Sequence, residues 1–482
     1  MGTVRWQYVA LAVLLVGSGY LRFAHLGYSD LQDDEKKTQV RVYDYETPVD
    51  FFLRQRKGPM QFVVAYLPFA LFNPKREVNE LAVRVPFALA NLLSVCVVYG
   101  LVYKLTSNRT VALATAWLYS VNGFVVGFAR IAQYQSLNLL FSLLSLYFLA
   151  DLPSKGQGYR RAVFLASLFG SLSLLAHWDA IFYLVPTAYF LLKFLRAKTI
   201  PGKEKAVCLG IAAVTCALLV VPFSVVYVYS LLGSQPENVD YFFSRVGMAG
   251  SSLARHKYIF ELYTPELALG LYIGGLISAL AAIRKTGMVV GWFAVNFVVL
   301  KLCVITPKTH IYNYVLPAIL GAALGYYYLY TWLTARVPRA RYGLVTAGVG
   351  ILVLLTCQSY LIFVDHSYEY PFDPKQVLWH TNTALYDKEI ITFGFPHARK
   401  WKEVNQHIDP ECEYITNESK GISQIYVKAN YGSSRKCYYL VVIKRPFYTK
   451  TQGAVYAGAT STKLVYSYVK NGEMLTKVYK MK

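Results

Sequence analysis

Stretches such as "YVALAVLLVGSGYL", "AVCLGIAAVTCALLVVPFSVVYVYSLLG" and "GLVTAGVGILVLLTCQSYLIFV" have no polar face at all. A helix that is greasy all round has no side to turn to water, and these runs approach the roughly 20 residues that cross a bilayer. A soluble protein of 55% hydrophobic and 16% charged residues, with mean hydropathy +0.34, would have to spread its apolar side chains in amphipathic periods. Here they are clustered, so the chain reads as an α-helical polytopic membrane protein. About eleven spans are predicted, near residues 7–24, 84–104, 110–128, 135–150, 162–178, 180–195, 206–231, 265–283, 288–305, 311–333 and 342–363. The first lacks a convincing small-residue cleavage site and reads as a retained helix.

Charge predicts the orientation. With the N-terminus inside, the inner loops hold 16 basic residues, from Arg5 to Arg341, against Asp151 and Glu204 alone. This is the asymmetry that keeps Lys and Arg on the cytoplasmic side. The formal net charge of +22 is then largely a topology signal and a contact with anionic lipid, and no nucleic-acid partner is needed. An odd number of spans leaves residues 364–482 outside. Their short β-prone runs, among them "KCYYLVVIK" and "KLVYSYVKNGEMLTKVYKM", predict a small extracytoplasmic α+β domain behind a transmembrane domain of residues 1–363. Five cysteines fall in spans. Cys412 and Cys437 fall together in the outer domain, where disulfides persist, and are a candidate pair.

Between the first two spans lies an outer loop, residues 25–83. It gathers seven of the 27 acidic residues between Asp30 and Asp50, then a basic knot of Arg54, Arg56 and Lys57. Loops of this length beside a bundle usually bind something.

The acidic "DE" of Asp34 and Glu35, then "RKGPMQFVVAYLPFALF" and "ELAVRVPFALANLL", resemble the amino-terminal half of the polyprenyl-phosphate-dependent GT-C glycosyltransferases. That group includes the protein O-mannosyltransferases and the lipid A aminoarabinose transferases. Further along, "ARIAQYQSLNLLFSLLSLYFL", "HWDAIFYLVP" and "THIYNYVLPAI" are similar to their later helices, and "FGFPHARKWKEVNQHI" to the outer tail of bacterial members. The resemblance implies a GT-C bundle with juxtamembrane helices in the first outer loop, residues 61–73 being interfacial. It also implies transfer of a sugar from a polyprenyl phosphate to an acceptor hydroxyl at the outer face, with inversion. The acceptor would be a glycan, a lipid or a protein, and the enzyme a hexosyl- or pentosyltransferase of the cell membrane.

The chemistry asks for the same residue types. A hydroxyl needs a carboxylate to take its proton as it attacks, and the departing phosphate needs fixed cations in a dry site. Asp34 takes the family's acidic position as the base and Glu35 is its neighbour in the site; Asp33 is a rival for the same role. Lys57, Arg56, Lys37 and Arg84 are the candidate phosphate ligands, with Gly58 where the family has proline. His177, Asp179, Lys308 and His310 are candidate acceptor or donor contacts at the outer ends of spans. The structural alternatives are a solvated helix start at Asp33–Lys37, a head-group anchor at Arg54–Lys57, a helix-corner pair at His177 and Asp179, and a snorkelling Lys308. No His or Cys spacing reads as a ligand set, so no metal or cofactor is expected, although a divalent cation stays open. Two other classes fit a polytopic chain: a lipid-linked-sugar transporter or flippase, and a non-catalytic membrane subunit of envelope glycan assembly.

Overall fold

In the computed structural model the described residues are 2–39, 47, 50, 58–72, 78–152, 158–229, 240, 243–247, 250–264, 266–372, 393–434, 436–446 and 462–481. Where they are described, the eleven apolar runs lie on helices or bent helix pairs. Among the described residues five helices are long and apolar enough to cross a membrane, or up to seven if each bent pair is one span. The two bends, 63° between Arg109–Ser120 and Gly123–Ala129 and 115° between Leu253–Tyr263 and Glu266–Ala281, are what shortens their straight stretches. Local signals set the ends. Asn79, Asn108 and Asn122 each accept amide hydrogens of the following turn, and Ser107 closes the helix Glu80–Thr106 in the left-handed region.

Polar groups inside the bundle are spent on joining helices. Arg22 is fully buried and donates to Asn91 Oδ1, Ser18 O and Ser120 O. Arg130 donates to the carbonyls of Leu21, Arg22 and Ala24 and so caps the C-terminal end of the helix Gly2–Phe23. The helix Met60–Phe72 has 13 residues, a rise of only about 20 Å, too little to span.

Beyond the helix Ala340–Phe363 a small domain carries a five-stranded sheet in the order β2-β1-β3-β5-β4. Its strands are β1 (Glu413–Thr416), β2 (Asn430–Tyr431), β3 (Tyr438–Ile443), β4 (Thr462–Lys470) and β5 (Glu473–Met481). β1 pairs in parallel with β2 and β3, and β5 runs antiparallel to β3 and β4. Asn471 and Gly472, both with positive φ, make the tight turn of the β4–β5 hairpin. Cys412 and Cys437 are joined by a disulfide.

The two parts are bound by a clasp. Leu31 from the first loop is buried in the core of the small domain beside Trp401, Tyr414 and Tyr426. In return Phe393 and Phe395 belong to the core of the bundle, with Phe395 5.1 Å from Phe363 and 5.2 Å from Tyr263. Gln32 donates to Phe395 O and accepts from Gly394 N, while the Asp30 carboxylate accepts the amides of Arg399 and Lys400. Gly394 (φ 81°) is required: a Cβ there would stand 2.1 Å from Gly127 O.

Candidate active site

The acidic stretch folds as a 3-10 turn, Asp33–Gln39, held from inside. Glu35 is fully buried. Its Oε1 accepts from Arg84 Nε (2.8 Å) and the Ala132 amide (2.7 Å), and its Oε2 from Arg84 Nη2 (2.7 Å) and the Gln32 amide (2.8 Å). Arg84 likewise gives its other N–H groups to the carbonyls of Leu26, Ser29 and Asp30. All five guanidinium N–H groups are thus used inside the protein, where the sequence reading has Arg84 among the phosphate ligands. The pair acts here as a clamp. It fixes the turn to the first helical turn of Glu80–Thr106 and to the segment Arg130–Tyr134.

Asp34, one residue earlier, points elsewhere. Its side chain is 28% exposed and stands 3.4 Å from Lys37 Nζ, itself 26% exposed. Carboxylate and ammonium therefore sit side by side on an accessible face of a rigid turn. The side chain of Asp33, together with Arg56 and Lys57, lies outside the described residues.

The next residue is informative. Gly58 is buried, and a Cβ there would fall 1.8 Å from Leu175 O. The glycine standing where the family has proline is thus pinned against the end of the helix Tyr159–Ala176. Gln61, three residues on, donates to Ala132 O. Both halves of the first loop therefore converge on Ala132.

The same segment leads to the second candidate group. Tyr134 stacks on His177 with ring centroids 3.6 Å apart. His177 Nδ1 is 3.0 Å from Asp179 Oδ1, and His310 Nδ1 is 2.9 Å from Asp179 Oδ2. Asp179 is buried and the two histidines are partly so. These three side chains form a cluster with ligand atoms within 4.8 Å of one another, which sequence spacing does not suggest because 131 residues separate Asp179 from His310. Lys308 begins the turn that delivers His310, with φ 44° in the left-handed region. Near this hub, Gln61 Oε1, Gln133 Nε2 and Gln135 Oε1 are buried without a hydrogen-bond partner among the described residues, a condition that costs free energy unless something polar is bound.

The sequence reading missed Ala132 and Gln61 as organisers and the residues of the clasp. In the clasp, burial pushes Asp30 up to about 6 against the amide donors that face it. Burial and the neighbouring Arg399 push His397 down to about 4. Cys412 and Cys437 belong to the small domain, whose core takes in Cys412 together with Leu31 of the clasp.

Residues 56–229 match the family model described as dolichyl-phosphate-mannose-protein mannosyltransferase. No curated protein matches the sequence. Among solved structures, ArnT from Cupriavidus metallidurans in the apo state is similar over 100% of this chain and 98% of its own, at 15% identity and a TM-score of 0.53. The same protein bound to undecaprenyl phosphate is similar over 98% of each chain, at 14% identity and a TM-score of 0.50. At such identities the likeness is one of fold.

Proposed function

We propose that this chain, which shares its fold with ArnT and matches a protein mannosyltransferase family model over residues 56–229, moves a sugar from a polyprenyl phosphate to an acceptor hydroxyl at the outer face of a membrane. The observation that carries this reading is the clamped turn. A buried Glu35–Arg84 pair holds the backbone, so that Asp34 and Lys37 stand together on its accessible side. Asp34 takes the acceptor's proton as the oxygen attacks the anomeric carbon from the side opposite the phosphate, which inverts that centre. Lys37, with Lys57 and Arg56 as further ligands, offsets the charge that grows on the phosphate as the bond to carbon breaks. A protein of the same fold is bound to undecaprenyl phosphate, which supports a polyprenyl phosphate as the carrier. The unpaired Gln61 Oε1, Gln133 Nε2 and Gln135 Oε1 suit a sugar's hydroxyls.

The test is genetic and chemical together. Mass spectrometry of envelope glycans and lipid-linked sugars, with and without the gene, should reveal a missing sugar and an accumulating donor, which names both substrates. Restoring the gene as Asp34→Asn should leave the product reduced by roughly 10²-fold or more at normal protein levels, because the amide keeps the shape but cannot accept a proton. Full restoration by Asp34→Asn, and by Asp33→Asn and Glu35→Gln alike, would make the loop non-catalytic and favour an assembly subunit.

A further inference from the structure

We propose that His177, Asp179 and His310 bind one divalent transition-metal ion of the Zn²⁺ class, and that the ion keeps an open position for a phosphate oxygen. The binding claim stands on this cluster alone; the phosphate claim rests on the transferase reading above.

Two imidazole nitrogens and one carboxylate are a familiar three-ligand set for such an ion, with a fourth position left for an exchangeable oxygen. The ligand atoms lie within 4.8 Å of one another, with His177 Nδ1 and His310 Nδ1 each about one hydrogen-bond length from Asp179. Small side-chain shifts bring them to the spacing of about 3.3 Å that tetrahedral bonds of about 2.0 Å require.

Two neighbours make different demands on His177 Nδ1. The Asp179 amide, 3.1 Å away, asks it for a lone pair. Asp179 Oδ1, 3.0 Å away, asks it for a proton. A cation between the nitrogen and the carboxylate takes a lone pair from each, at the cost of the amide contact. The ligands are also pre-positioned. Tyr134 stacked at 3.6 Å fixes the His177 ring, Asn138 donates to His177 O, and the left-handed turn at Lys308 delivers His310. With 29% of its side chain exposed, His310 marks the side on which the cluster opens.

Location gives the ion its use. Tyr134 follows two residues after Ala132, whose amide holds Glu35 and whose carbonyl holds Gln61. Gly58 packs on Leu175, two residues before His177. The ion would stand beside both halves of the loop, where a phosphate oxygen can complete its coordination.

The full-length protein in lipid nanodiscs, stripped with EDTA, should be titrated calorimetrically with Zn²⁺ and separately with Mn²⁺. One Zn²⁺ site is expected, weakened at least 100-fold by Asp179→Asn and by His310→Gln, and unchanged by His407→Gln in the small domain. Melting curves show whether each variant is folded, and the more exposed His310→Gln carries the test if Asp179→Asn is not. Absence of a stoichiometric site, or binding unmoved by His310→Gln, means a hydrogen-bonded triad only and overturns the proposal. For the open position, the probe is Co²⁺-loaded protein read by visible absorption. A polyprenyl monophosphate in the bilayer should shift the spectrum where inorganic phosphate at the same concentration does not. A shift with inorganic phosphate alone, or with neither, overturns the phosphate half. Because metal binding is read without sugar transfer, a Zn²⁺ site in a protein that transfers no sugar would indict the transferase reading and not this one.

Discussion

Adjacent carboxylates in this loop do opposite work, and the difference lies in which way each faces. On a 3-10 turn successive side chains diverge by about 120°, so Glu35 can be sealed against Arg84 while Asp34 meets Lys37 at the surface. Removing one member of a buried ion pair strands the other, at a cost of roughly 3–5 kcal/mol, whereas replacing both costs much less. Glu35→Gln should therefore lower the melting temperature by several degrees and reduce transfer by displacing the turn, while Asp34→Asn should melt like the wild type. The double variant Glu35→Gln with Arg84→Gln should recover much of the lost stability. A Glu35→Gln protein that melts normally would show that the pair does not hold the loop. The "DE" pair stands out in the sequence; which of the two is buried does not, because neither charge nor spacing tells which neighbour finds Arg84, 49 residues away. The His177–Asp179–His310 cluster was half legible, as two pairs at span ends whose meeting depends on helix packing.

At the scale of elements, the apolar runs located the helices because burial in lipid demands an unbroken greasy surface, and the β-prone run "KLVYSYVKNGEMLTKVYKM" became the β4–β5 hairpin turning at Asn471-Gly472. What stayed hidden was the clasp of residues 29–32 on residues 393–400, made of backbone amides and short polar side chains that have no periodicity. Its titration should be unusual. Asp30 is raised from 3.8 to about 6, so the closed clasp prefers it protonated, and stability from this group falls as pH rises from about 4 to 6. His397 is lowered from 6.5 to about 4, so the closed clasp prefers it neutral, and stability from this group falls as pH drops from about 6.5 to 4. The slopes oppose one another. Measured by protease resistance of the small domain and referred to the wild type, His397→Gln should lose stability as pH rises through this window, and Asp30→Asn as it falls. Two variants running parallel to the wild type would mean that neither group is buried in the closed clasp.

For the whole molecule, the clasp ties the side of the Asp33–Gln39 turn to the side of the small domain, since Leu31 sits in that domain's core and Glu80 at the bundle's edge accepts from Tyr426 and pairs with Lys402. A Cys412–Cys437 disulfide is expected to persist in an oxidising compartment, which predicts that Asp34 lies on that side too. Independently, the eleven predicted spans give the opposite loops a 16-to-2 excess of basic residues, the asymmetry expected of a cytoplasmic face. Two unrelated forces, thiol chemistry and the charge rule, therefore predict the same orientation. A reporter that is active only outside the cell should work when fused after Lys482 and fail when inserted between Lys193 and Lys205. Activity in the reverse pattern would put the disulfide in the reducing cytoplasm and Asp34 on the inner face. The sugar donor would then have to be used on the inner leaflet, and transfer at the outer surface would be excluded.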